Sequence, residues 1–305
     1  MRAAVEGPWR TARGSGLLLL MRAAIPHLIV AIVLFGGAWP ITKAALSDAT
    51  PMWFAAGRAG LAAVVSALAL LAMGRLHWPR RADWPAVIAL GTLQLGGYFA
   101  LVHPAVAIVP AGRTAIISAV TSYWLLPMSI LVMGERISAR GWLGAALGFS
   151  GVVVLAGPWS LDWSARDVVF GHGMLMLAAG LWSVAIIVTR ARTPASPMME
   201  LLPWCFAIAF ALLAPLAMYL EPQGGIGAPS WPIMLYIGVI VAPVGTWCVI
   251  EIGRRLPGAI SSLAFLLVPA FGVTLSAVWL GEAVGLDILI GSALIVASVA
   301  LAARS

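Results

Sequence analysis

Residues 110–135, PAGRTAIISAVTSYWLLPMSILVMGE, and residues 257–282, PGAISSLAFLLVPAFGVTLSAVWLGE, decide the fold. Each opens on a proline, stays largely apolar and closes on Gly-Glu, so Pro110 stands to Glu135 as Pro257 stands to Glu282. Proline suits a first helical turn, where the N–H it lacks would be unpaired in any case. The offset of 147 residues persists outside these stretches: Gly144 meets Gly291, Ala146 meets Ala293, Leu147 meets Leu294, and Leu90-Gly91 meets Ile237-Gly238. At a slightly shorter offset, Gly37-Ala38-Trp39 meets Gly180-Leu181-Trp182. The chain reads as a duplication.

Its solvent is lipid. The 305 residues are 62% hydrophobic and only 10% charged, too little polar surface for a water-soluble domain. A helix crosses the roughly 30 Å of hydrocarbon with about 20 apolar residues, because lipid offers no partner to backbone N–H and C=O. Apolar runs between charged or turn-forming breaks predict ten spans: 25–45, 51–73, 84–106, 110–133, 138–156, 168–189, 198–219, 231–253, 257–280 and 286–303. Residues 1–24 are read as a basic cytoplasmic tail, in which Met21-Arg22-Ala23-Ala24 repeats the opening Met1-Arg2-Ala3-Ala4.

Loop charge sets the count. The tail with Arg2, Arg10, Arg13 and Arg22, then Arg75, Arg80, Arg81, Arg136, Arg140, Arg190, Arg192, Arg254, Arg255 and Arg304, place 14 of the 18 basic residues on one side. The other side receives Lys43, Arg166 and the acids Asp48, Asp162, Asp167, Glu221, Glu282 and Asp287. The positive-inside rule then puts both termini in the cytoplasm. Trp53, Trp78, Trp84, Trp142, Trp159, Trp163 and Trp231 fall near span ends, where amphipathic rings settle. The net charge of +7 is dispersed over short loops, so topology accounts for it and a nucleic-acid partner is not expected. Cys205 and Cys248 lie inside apolar runs and supply neither a disulfide framework nor metal-ligand spacing.

Five helices per copy is an odd number, so the second copy enters the membrane from the opposite face. The expected fold is an all-α integral membrane protein of ten transmembrane helices, arranged as two inverted five-helix repeats, 25–157 and 168–304, around a central cavity. A proline-begun fourth helix running into Gly-Glu, followed by a Gly-rich fifth, resembles the drug/metabolite transporter superfamily. Within it the chain is similar to the EamA-type proteins, and most of all to bacterial exporters of aromatic amino acids. The resemblance covers residues 25 to 304. It implies a basket of helices whose first four members in each half line the cavity, with the fifth and tenth as peripheral supports.

Polar and aromatic residues within spans are the candidate substrate-binding groups, since such groups at this depth normally face the bundle interior. Trp39 and Trp182 are repeat equivalents above and below the midplane, suited to gate or wall an aromatic cavity. Span 3 offers Tyr98 and His103, with Gln94 and the pair Gly96-Gly97. Span 4 offers Thr114, Ser118, Thr121 and Ser122 in one polar stripe at i, i+4, i+7, i+8 spacing, with Tyr123 and Trp124 near mid-depth; its copy holds Ser261-Ser262 and Pro269. Span 8 offers Thr246 and Trp247. Arg58 and Arg113 are read as snorkelling to the interface, the alternative being that one meets a substrate carboxylate. His103 is the one titratable group offered as a proton site. An aromatic, hydroxyl-bearing, nearly uncharged lining suits small amphipathic solutes of zero net charge, amino acids and aromatic ones in particular.

No cofactor and no metal site is expected; membrane lipid and a small-molecule substrate are the expected partners, and the sequence leaves the oligomeric state open, a monomer included. Two alternatives stand beside an exporter working by alternating access. One is an exporter of drugs or toxic cations on the same fold. The other is an intramembrane serine hydrolase built on Gly148-Phe149-Ser150-Gly151 with His172 as base. Gly144, Gly148 and Gly151 also form a small-residue packing ridge, and Ser150 falls opposite Ala297 in the second copy.

Inversion makes a direct prediction. Single cysteines introduced at Arg136 and Asp287 should react with impermeant thiol reagents from opposite sides of the membrane. Labelling of both from one compartment would exclude an inverted pair.

Overall fold

The computed structural model describes residues 15–118, 120–134, 138–157, 159, 164–255, 265, 267–281 and 285–302. Among these, regular structure is helical, apart from one bridge between Ala49 and Ile226. The helices are α1 (Ser15–Ala45), α2 (Pro51–Ala72), α3 (Trp84–Ile108), α4 (Ala111–Met133), α5 (Ala139–Ala156), α6 (Arg166–Ala191), α7 (Met198–Leu220), α8 (231–255), α9 (Leu267–Leu280) and α10 (Leu286–Ala302). Of the described helices, seven are long and apolar enough to cross a membrane: α1 from Ala24, α2, α3, α4, α6, α7 and α8; α5, α9 and α10 hold shorter apolar segments. Glu135, Arg136, Pro257, Ser261, Ser262 and Glu282 lie outside the described residues.

Local chemistry sets the ends. Pro51 opens α2 behind Thr50, and Ser138 caps α5 by accepting from the Gly141 N–H at 3.1 Å. Gly134 and Gly281, 147 residues apart, both adopt positive φ, at 65° and 67°, and end α4 and α9. Only glycine takes this conformation without a Cβ clash. The first helix departs from expectation: it begins at Ser15, upstream of residue 25.

α2 packs along α7. At one end the Thr50 N–H donates to Gly225 O at 2.9 Å, and the Met52 N–H meets the Glu221 carboxylate at 3.1 Å. At the other, Arg75 Nε donates to Glu200 Oε1 at 2.9 Å and His77 lies 2.8 Å from Glu200 Oε2. The start of each helix therefore meets the end of the other, and the two run antiparallel. Ala59, Leu201, Phe206 and Leu213 are fully buried in one apolar cluster at this seam.

The remaining packing follows a pattern. α1 lies against α9 as α4 lies against α6, and α3 contacts α6 and α7 as α8 contacts α1 and α2; α5 pairs with α10. A Cβ on Gly91 of α3 would come 2.7 Å from Ile208 Cβ on α7, and one on Gly238 of α8 would come 2.7 Å from Leu61 Cβ on α2. Both glycines thus permit the same close crossing. Wide π-helical turns occupy Ala89–Gly97 in α3 and Tyr236–Gly245 in α8, again 147 residues apart at their starts. Wide turns re-aim side chains and recur at functional sites.

Asp83 ties the entrance of α3 to the segment before α7. It is fully buried, and its carboxylate accepts from the Ala195 N–H at 2.7 Å, the Ser196 N–H at 3.0 Å, Ser196 Oγ at 2.8 Å and the Arg80 N–H at 2.9 Å. Burial opposes the charge, yet the hydrogen bonds from Ser196, Arg80 and Ala195 together hold this carboxyl below the ordinary range. Its contribution is therefore present above the ordinary aspartate value near pH 4 and is lost as pH falls through the depressed one. Asp83→Ala should destabilise the detergent-purified protein by about 2 kcal/mol or more, because donors are left buried and unpaired. Asp83→Asn should flatten the acid limb of melting temperature against pH.

Candidate functional site

A cavity of about 450 Å³ runs through the middle of the bundle. α1, α2, α3 and α4 line it from one part of the chain and α6, α7, α8 and α9 from the other, whereas α5 and α10 contribute no lining residue among those described. At one end the lining reaches Thr189, Arg190 and Met198; toward the other it stops at Thr42 and Val106. Just beyond that second end, Lys43 Nζ donates to the carbonyls of Val106 at 2.7 Å, Ala107 at 2.8 Å and Val109 at 3.2 Å, tying α1 to the last turn of α3. Ser230 Oγ donates to Ala45 O at 2.7 Å on the same side.

Six of the ten residues singled out from the sequence line this cavity: Trp39, Tyr98, His103, Ser118, Trp182 and Thr246. Tyr98 meets Trp182 edge to face, with ring centroids 4.7 Å apart, and its phenol interacts with Ser118. Trp39 Nε1 is buried without a hydrogen-bond partner. His103 is 1% exposed, and its Nδ1 lies 2.9 Å from Phe99 O. Nδ1 therefore carries the proton and donates, which leaves a lone pair on Nε2.

Three others lie away from the cavity. Tyr123 packs edge-on to Phe149 of α5 at 5.1 Å, Trp124 is 41% exposed, and Trp247 is partly exposed against His27 at 5.4 Å. Of Ser122 the structure describes the backbone alone. Of the expected stripe, Ser118 and Thr121 line the cavity and Thr114 is fully buried. Ser118 Oγ donates to Ala115 O and Thr121 Oγ1 to Ser118 O, both at 2.7 Å, while Ser183 reaches across from α6 to Thr121 O at 2.9 Å.

The expectation of a nearly uncharged lining is corrected by Arg58. Instead of snorkelling, it is 8% exposed and lines the cavity. Its Nη1 donates toward His103 Nε2 at 3.4 Å, and its guanidinium lies 4.1 Å from the Phe99 ring centroid. Gln94, also buried, faces the same cavity with Oε1 unpartnered. A charge in mid-span was the signal, since a lipid-depth cation is by default functional. Cys205 and Cys248 are buried and unbonded to each other. The hydrolase residues do not assemble at this site: Ser150 is exposed on α5, and His172 Nδ1 is taken by Val168 O at 2.6 Å.

The model of the EamA-like transporter family matches residues 22–157 and again 169–304. The chain belongs to the EamA-like transporter family. It is a multi-pass membrane protein and not an enzyme. Among relatives it is 24% identical over 283 residues to the probable terminal-alkyne amino-acid exporter of Streptantibioticus cattleyicolor, covering 92% of this chain and 93% of that protein. It is likewise 24% identical over 286 residues to the probable amino-acid metabolite efflux pump of Salmonella typhimurium, covering 88% and 91%. A crystal structure 23% identical in sequence shares the fold, with a TM-score of 0.74 over 92% of this chain and 98% of that one.

In this EamA-like chain the aromatic pair Tyr98–Trp182 and the exposed Trp124 separate cleanly. Tyr98→Ala should lower substrate flux in proteoliposomes by roughly two- to tenfold, the worth of an aromatic contact of this kind. Trp124→Ala should leave it near the wild-type rate.

Proposed function

We propose that this protein is a secondary transporter that exports small amphipathic metabolites of zero net charge by alternating access, amino acids above all and aromatic ones in particular. One observation carries the reading: a cavity of about 450 Å³ into which Trp39 and Tyr98 project from one matched segment and Trp182 from the other. Aromatic walls stack the apolar part of a solute, and the hydroxyls of Ser118 and Thr246 bond its polar end. The printed names of the two relatives, an amino-acid exporter and an amino-acid metabolite efflux pump, favour the same class. Arg58 on the wall disfavours a toxic cation as cargo.

Alternating access follows from reading 25–157 and 168–304 as two inverted five-helix units, ten spans in all. The antiparallel contact of α2 with its repeat equivalent α7 supports this, because an upside-down copy brings equivalent helices together head to tail. The wide turns at matching positions of α3 and α8 support it as well. With the arginine-rich loops and both termini in the cytoplasm of a bacterial inner membrane, the end of the cavity at Arg190 faces inward and the end tied by Lys43 faces outward.

A flux assay in proteoliposomes tests this. Tryptophan, phenylalanine and leucine should cross in a protein-dependent way and faster than lysine or a phosphorylated sugar. The same panel under an imposed pH gradient separates proton exchange from facilitated diffusion. Equal permeation with and without protein across the panel would refute the proposal.

A further inference from the structure

The polar groups of the cavity are unbalanced in charge. Among the described lining residues there is no carboxylate, while Arg58 brings a guanidinium. That side chain is 8% exposed, and its Nε is buried with no partner. An uncompensated cation in apolar surroundings is strongly disfavoured unless an anion or acceptors complete its shell. The ring of Phe99 shields one face at 4.1 Å, and His103 offers a single lone pair to Nη1 at 3.4 Å. Neither supplies negative charge.

His103 is held in turn. Its Nδ1–H is taken by Phe99 O at 2.9 Å, so the ring cannot turn away without giving up that bond. Phe54 and Phe99 flank it with centroids 5.8 Å and 5.5 Å away. Packing and hydrogen bond together fix Nε2 toward the guanidinium. One arm of Arg58 is thereby pinned, and its Nε edge is left for something else. That edge has the planar geometry that receives a carboxylate through parallel N–H···O bonds.

We propose that Arg58 anchors the carboxylate of the transported solute and that His103 is its positioning residue. The solute class is then narrower than amphipathic: it is a small monocarboxylate whose apolar part lies along Tyr98 and Trp182. Gln94 Oε1, unpartnered in the same cavity, is an acceptor for a solute N–H donor such as the ammonium of an amino acid. The inference rests on the transport reading above but concerns binding, so the two can fail separately.

The test uses the full chain purified in detergent, with equilibrium binding of tryptophan, phenylalanine and leucine measured against their methyl esters. Loss of a charge-assisted hydrogen-bond pair is worth roughly 10- to 100-fold in affinity, and the wild type should prefer acid over ester by that factor for at least one pair. Arg58→Gln should abolish the preference, with ester binding at or above the wild-type level because a cation facing the ester's ammonium is removed; that binding also reports that the variant is folded. Should that variant not be recovered folded, Arg58→Lys should weaken acid binding with the ester unchanged. His103→Leu should reduce the acid preference, and His103→Gln, which restores an acceptor, should recover part of it. Equal binding of acid and ester by the wild type, no binding of any acid, or an undiminished preference in Arg58→Gln would each overturn the anchor. Acid binding without flux in vesicles would instead remove the transport reading and leave the anchor standing.

Discussion

The seam between α2 and α7 is the constraint on which the rest of the bundle depends. Two apolar helices in lipid gain nothing from hiding hydrophobic surface, so close packing and hydrogen bonds at their ends must hold them. Both are present: Ala59, Leu201 and Phe206 fill the middle without exposure, and polar ties close the two ends, Glu221 with Met52 at one and Glu200 with Arg75 at the other. α3 and α8 then settle on the flanks of this pair, each by way of a glycine, Gly91 against Ile208 and Gly238 against Leu61. The cavity lies over the seam, which explains why Arg58 of α2 and Cys205 and Phe206 of α7 form part of its wall.

Arg58 and its surroundings show how a low-dielectric interior decides what a side chain does. In water a guanidinium beside a neutral imidazole would be unremarked; here the same pair has the Phe99 ring on one face and an open cavity on another. The tautomer of His103 follows from its bond to Phe99 O and not from its own chemistry. A bare Nε2 facing a cation is what makes this histidine a support for the arginine.

Much of the fold was legible because lipid makes sequence rules strict. Pro51, Trp84 and Met198 open helices at or beside the residues expected, and Gly134 and Gly281 end them. The duplication was visible in the spacing of proline and Gly-Glu, and the family model matches twice across the same region. Which face of each helix turns inward was harder to read. A span apolar on every side has no amphipathic signal. The wide turns of α3 and α8 shift the phase of the residues that follow them, so spacing alone does not fix which side chains point inward. Tyr98, Trp39 and Trp182 were found by composition and symmetry, which survive a change of phase. Snorkelling is the expectation for Arg58 because a charge costs about 2.5–3.5 kcal/mol at a helix centre, yet the fold carries this side chain inward to the cavity.

The ammonium of Lys43 has a consequence of its own. It satisfies carbonyls of Val106, Ala107 and Val109 that the ending of α3 leaves without helical donors. A single flexible stem thus serves three acceptors, and its positive charge sits at the negative pole of that helix. If α1 draws away from α3, these bonds do not stretch one after another; they leave with the same nitrogen. Separation at this end of the bundle is therefore all-or-none in character, with little room for a half-parted arrangement between sealed and open.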